Sequence, residues 1–199
     1  MSDIIKFDTS SEQKIIVETK ILDLVPENDP ILKQIIPEFD FNDSSIDPTD
    51  IASQLVETCK KYKGHGLSAN QCGLNYRVFV MGAEDEYVAC FNPSIIASST
   101  ETSMSTEGCL SFPYLVLNIE RSNGIVVEYK NHLGELKTEN YTGMTANIFQ
   151  HELDHLNGIC YTSRAKPVSL SRGLKKRQKF NKLINRYSKA KKVIDKISE

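Results

Sequence analysis

Two histidines four residues apart with a glutamate beside the first, His151-Glu152-Leu153-Asp154-His155, constrain this chain more than any other stretch. On an α-helix, residues four apart stand one above the other, so both imidazoles can address a single cation; on a strand they would stand roughly 13 Å apart. The segment therefore demands a helix, and the flanks agree: it starts near Met144 to Ala146 and meets a stop at Gly158. Glu152 lies one residue round the helix, placed to exchange a proton with solvent at the cation rather than to ligate it.

A catalytic site of this type needs a third protein ligand and an open position. No acid occurs between Leu156 and Ile194, which disfavours the class that recruits a downstream glutamate. The pattern HExxHxxGxxH also fails, because Gly158 fits but Tyr161 stands where its last histidine belongs. Upstream, Cys109 in Glu107-Gly108-Cys109-Leu110-Ser111 is the leading candidate, since the glycine permits close backbone approach and a thiolate is a strong ligand. Cys72 and Cys160 compete, each equally readable as a small buried hydrophobe. Five scattered cysteines suit a reducing compartment better than a disulfide framework.

At 199 residues the chain can bury one sizeable core. It opens MSDIIKFDTSSEQK, without a basic start and apolar run, and has no stretch of 18 apolar residues, so a soluble cytoplasmic protein with no membrane partner is expected. Residues 1–47 read as an irregular arm with one short strand. A helix is predicted from Pro48 to Lys63, started by Asp47 and stopped by Gly64. Residues 76–98 and 114–141 carry β-branched and aromatic runs, with Asn131-His132-Leu133-Gly134 as a hairpin turn, and predict antiparallel strands. A last helix, from roughly Ser171 to Lys196, would gather Phe180, Leu183, Ile184, Tyr187 and Ile194 on one stripe. From Arg164 onward there are 13 Lys and Arg against two acids, so an acidic domain, residues 1–163, is expected to carry a basic extension, residues 164–199.

Three segments, Gly64-His65-Gly66-Leu67-Ser68-Ala69-Asn70-Gln71, Glu107-Gly108-Cys109-Leu110-Ser111 and Gln150-His151-Glu152-Leu153-Asp154-His155-Leu156-Asn157-Gly158, resemble in order and spacing the signature motifs of the peptide deformylases. The resemblance runs from about Pro48 to Tyr161. It implies an α+β fold with antiparallel β-sheets around a central HExxH-bearing helix, here followed by a basic C-terminal helix. It implies one divalent metal ion held by Cys109, His151 and His155, with Fe2+ expected and Zn2+, Ni2+ or Co2+ as alternatives. The implied reaction removes the formyl group from the N-terminal formylmethionine of new chains. Glu152 would move the proton, the Gln71 side chain and the Leu110 backbone N–H would stabilise the oxyanion, and His65, Gly66, Glu107 and Gly108 would face the substrate.

Gln150 and Asp154 are candidates to hydrogen-bond the two imidazoles. Family members usually carry Ile or Val at His65 and Ala at Ser68, and many place an arginine where Phe112-Pro113-Tyr114-Leu115-Val116 has none. The basic tail resembles C-terminal extensions that contact the ribosome, so residues 172–196 are expected to dock on ribosomal RNA, with no DNA partner. On the residues alone, a metallopeptidase of another class and a noncatalytic RNA-binding module with a structural metal stay open.

Overall fold

Val78-Phe79-Val80-Met81 is an unbroken apolar run, as a strand buried on both faces requires. In the computed structural model, which describes residues 20–197, it opens β2 (Val78–Ala83). Alternate residues of β2 enter different clusters. Val78 and Val80 pack with Ile51, Leu55 and Cys59 of α1 (Pro48–Lys61), whereas Phe79 and Met81 pack with Phe149 and Leu153 of α2 (Gly143–Leu156). One strand thus holds a helix on each face.

Helix α1 begins as expected, with the Asp47 carboxylate accepting from the Thr49 amide at 2.8 Å and Pro48 in the first turn. The other strands are β1 (Gly66–Ser68), β3 (Glu86–Ser98), β4 (Thr102–Gly108), β5 (Val116–Ser122), β6 (Gly124–Lys130) and β7 (Leu136–Thr142). Five form one antiparallel sheet in the order β1-β2-β3-β6-β7, while among the described residues β4 and β5 pair only with each other. The turn between β6 and β7 is closed by the Gly134 amide donating to the Asn131 carbonyl. Strand β4 was not expected: its sequence, TSMSTEG, has one buried residue and no apolar alternation.

Between residues 20 and 47 the arm contains a short 3-10 turn, Pro30–Lys33, and no strand; the rest of the arm for which one short strand was expected, residues 1–19, lies outside the described residues. After the four-residue α3 (Tyr161–Arg164), α4 (Pro167–Ile197) starts before the expected Ser171. Leu170 packs into the cluster of Leu115, Leu117 and Tyr161, Arg177 pairs with Glu27, and Phe180 meets Tyr114. Farther along, the expected apolar stripe is not packed: Leu183 is 50% exposed and Tyr187 74%. The Ile194 side chain lies outside the described residues.

The end of α2 fixes the height of its polar side chains. Gly158 takes a left-handed φ of 71°, the Gly158 amide donates to the His155 carbonyl at 3.1 Å, and the Ile159 amide donates to the Asp154 carbonyl at 2.8 Å. A Cβ at Gly158 would also stand 2.7 Å from the Lys33 carbonyl oxygen. Gly158→Ala is therefore expected to destabilise the fold by about 1–3 kcal/mol, read as a lowered urea midpoint.

Candidate active site and metal centre

Helix α2 has two faces with different duties. Ala146, Phe149, Leu153 and Leu156 enter the core against the five-stranded sheet. Met144, Asn147, Ile148, His151 and Glu152, at spacings of three and four, line a cleft of about 670 Å³. Cys109, at the end of the β4 segment, reaches the same place. Its Sγ and one ring nitrogen each of His151 and His155 all lie within 4.8 Å of one another, with Sγ 3.2 Å from His155 Nε2. One soft sulfur and two imidazole nitrogens make a donor set that suits a transition metal. Neither Cys72 nor Cys160 belongs to this group.

The two histidines differ in what holds them. His151 Nδ1 stands 2.9 Å from Glu107 Oε2, which leaves Nε2 for the cluster. His155 Nδ1 is buried without a hydrogen-bond partner among the described residues, while its Nε2 faces the sulfur. Burial opposes charge on His151, yet its bonds to Cys109 and Glu107 raise its pKa to about 10. His155 is pushed well below the usual range by burial and by the neighbouring His151 charge.

Glu107, expected among the substrate-facing residues, lines the cleft, and its carboxylate is engaged by Arg121 and His151. Burial works against its charge, and the bonds from His151 and Arg121 outweigh that, holding it down to about 2. Arg121 grips it with two donors, at 2.8 and 3.0 Å, and donates a third bond to Asp154 at 2.6 Å. Arg164 pairs with the other side of Asp154. A chain of alternating charge, exposed at Arg164 and buried from Asp154 onward, therefore runs through Arg121 and Glu107 to His151.

Two expectations are corrected by this chain. Asp154 faces arginines rather than an imidazole, and the Gln150 amide bridges the Ser122 backbone and the Ala146 carbonyl. Residues four apart share a helix face, so 150 and 154 look away from the ligand face of 151 and 155 together. Arg121 went unnoticed in the sequence, though a signal existed: in β5 it falls in step with the buried Leu117 and Ile119, where an apolar residue is normal.

Glu152 is buried, and burial pushes its carboxyl above the ordinary range. Its Oε2 accepts from the Ser68 hydroxyl at 2.7 Å. Gly66 passes so close that a Cβ there would stand 2.5 Å from Glu152 Oε1, which explains a glycine at that point of β1. Gln71 accepts from the Ser68 amide with its carbonyl oxygen, at 2.9 Å, and aims its amide nitrogen at Ser111 Oγ, 3.0 Å, and Cys109 Sγ, 3.4 Å. Leu110, Gly108 and the exposed His65 also line the cleft.

A family model described as polypeptide deformylase matches residues 21–171. The chain belongs to the polypeptide deformylase family. It is a hydrolase that removes the N-formyl group from nascent polypeptides, and the family is metal-dependent. The peptide deformylase of Thermotoga neapolitana is 41% identical over 140 residues, covering 70% of this chain and 84% of the relative. That of Synechocystis is 32% identical over 173 residues, covering 81% and 91%. The crystal structure of a Synechococcus elongatus deformylase in complex with actinonin superposes with a TM-score of 0.74 at 30% identity, covering 84% of this chain and 94% of that one. A deformylase from Acinetobacter baumannii with Met-Ala-Ser bound gives 0.69 at 29% identity, covering 73% and 99%.

In this deformylase the Glu107 carboxylate holds His151, one of the three candidate metal ligands, and is itself held by Arg121. Glu107→Ala is expected to weaken metal affinity about 10- to 100-fold, measured by chelator competition. Arg121→Leu removes the partner shared by two buried carboxylates and is expected to cost about 3–5 kcal/mol of stability, measured by denaturant unfolding.

Proposed function

We propose that Cys109, His151 and His155 hold one divalent metal ion, Fe2+ in the cell with Zn2+, Ni2+ or Co2+ as working substitutes, and that the substrate is the formyl-Met end of a nascent chain in the cytoplasm. The observation that carries this reading is the convergence of one sulfur and two imidazoles beside the buried Glu152. Such an ion acidifies a water and polarises a carbonyl oxygen.

The chain's own residues do the rest. Glu152 takes the proton from the attacking water and returns it to the amine that leaves when the C–N bond breaks. The Gln71 amide and the Leu110 backbone N–H receive the charge that grows on the formyl oxygen, each such donor being worth about 10² to 10³ in rate. Among the described residues β1 pairs only with β2, and β4 only with β5, so each presents an edge without a strand partner there, and residues of both line the cleft. An extended peptide fits between these edges, its main chain pairing at Gly66 and Gly108. The peptide bound to the Acinetobacter relative, Met-Ala-Ser, supports a substrate of this kind. The methionine side chain enters beside Met144 and Ile148, with His65 at the rim.

Glu152→Gln is expected to abolish release of formate from formyl-Met-Ala-Ser while retaining the metal, and Cys109→Ser to lose metal and activity together. Full activity of the first variant, or full metal content of the second, would reject these assignments.

For the extension, residues 164–199 beyond a catalytic domain of residues 1–163, we read residues 172–196 as a ribosomal RNA contact. Its support is a helix with an exposed apolar stripe and a surrounding of exposed lysines and arginines. Converting Lys179, Lys182, Arg186 and Lys189 to Glu is expected to abolish low-salt co-sedimentation with ribosomes; unchanged association rejects the contact.

A further inference from the structure

One side chain near Glu152 has no part in the reaction so far. Ser68 is fully buried at the end of β1, and its hydroxyl stands 2.7 Å from Glu152 Oε2 and 3.0 Å from the backbone carbonyl of the same residue. We propose that Ser68 is a positioning residue for the proton-transferring carboxylate: its hydroxyl fixes Oε2 and thereby presents Oε1 to the reacting water. The proposal rests on the reading of Glu152 as the proton carrier.

The geometry assigns different surroundings to the two carboxylate oxygens. Oε2 is on the Ser68 side, inside the protein. Oε1 is on the side of Gly66, which lines the cleft, and Gly66 offers no side chain to cover it. Without the hydroxyl, rotation about the terminal torsion of Glu152 is opposed only by packing, since that torsion is broad and roughly two-fold. A general base must stand within hydrogen-bond reach of the proton that it takes, so a carboxylate spread over several rotations spends less time in the reactive one.

The hydroxyl has one proton and two acceptors within reach, both on residue 152. A charged carboxylate is the stronger acceptor, so Ser68 donates to Oε2 before the proton arrives. Once Oε1 carries the proton, the hydroxyl can turn to the backbone carbonyl without breaking away from Glu152, and it turns back when the proton leaves for the amine. Ser68 is also coupled to the other side of the reacting carbonyl, because its amide holds Gln71 Oε1 at 2.9 Å. That second bond uses the backbone and survives any substitution other than proline; only the first belongs to serine.

The test compares Ser68→Ala with Ser68→Thr in metal-loaded protein, with Glu152→Gln as reference. Ser68→Ala is expected to lower kcat for formyl-Met-Ala-Ser about 10-fold, with KM and metal content held near wild type. Ser68→Thr, which keeps the hydroxyl, should restore most of kcat. A crystal structure of Ser68→Ala should show the Glu152 carboxylate rotated or in two orientations. An unchanged kcat in Ser68→Ala, or a single Glu152 orientation identical to wild type, overturns the proposal. Loss of metal together with kcat would assign Ser68 a merely structural role and also overturn it. An active Glu152→Gln would instead reject the underlying reading of Glu152, so the two failures are separable.

Discussion

A helix whose polar face points into the protein must find every partner elsewhere in the chain, and α2 sets that demand. His151, Glu152, Asp154 and His155 are each less than a tenth exposed. An unpaired buried polar group costs about 1–3 kcal/mol and a stranded buried charge more. Strand β4 answers with Glu107, β5 with Arg121 and β1 with Ser68, while the Asn70 amide caps the His155 carbonyl at 2.7 Å. The β4–β5 ribbon shares no strand pairing with the five-stranded sheet. The pairs made by Glu107 and Arg121 are therefore a principal tie between ribbon and helix. Because Glu107 and Cys109 are two residues apart, the docking that satisfies the helix also delivers the sulfur.

The same separation of sheets creates the cleft. Had β1 and β4 paired, the two sheets would have merged and covered the α2 face that carries Met144, Ile148, His151 and Glu152. Left apart, they keep two unpaired edges at the mouth of the site. Exposed edges are usually a hazard that proteins blunt. Here they flank a cleft lined by the buried Glu152, which fits the extended peptide proposed as substrate.

What was legible in the sequence followed local rules. Asp47-Pro48 opens α1, Gly158 closes α2, and Asn131 to Gly134 turns the β6–β7 hairpin, because each is decided by residues a few positions apart. The candidate ligands converge for a similar reason, since the HExxH spacing is itself helical geometry and only Cys109 had to come from afar. Strand β4 was invisible because it is mostly solvent-facing and polar, and its pairing is dictated by β5 rather than by its own pattern. The ion chain was hidden by distance: Arg121 and Asp154 are 33 positions apart, and only the fold shows that the helix face of Gln150 and Asp154 looks toward β5. The tail misled in the opposite sense. Its apolar stripe is present in the sequence, yet beyond Phe180 Leu183 and Tyr187 stay largely exposed.

The charges at the centre also constrain what can sit there. Three carboxylates, Glu107, Glu152 and Asp154, and the Cys109 thiol lie in or beside one buried network, opposed by the guanidinium groups of Arg121 and Arg164. With all four acids ionised the two arginines leave two negative charges unbalanced, an arrangement that a low-dielectric interior does not tolerate. A proton on His151 removes one of them, and the raised pKa of that ring reflects the pull. The divalent cation proposed above would offset both and would leave His151 neutral, so the charge balance fits that proposal. A monovalent ion would leave the centre negative and would favour keeping a proton on Glu152, which the proposed role in proton transfer requires to be free.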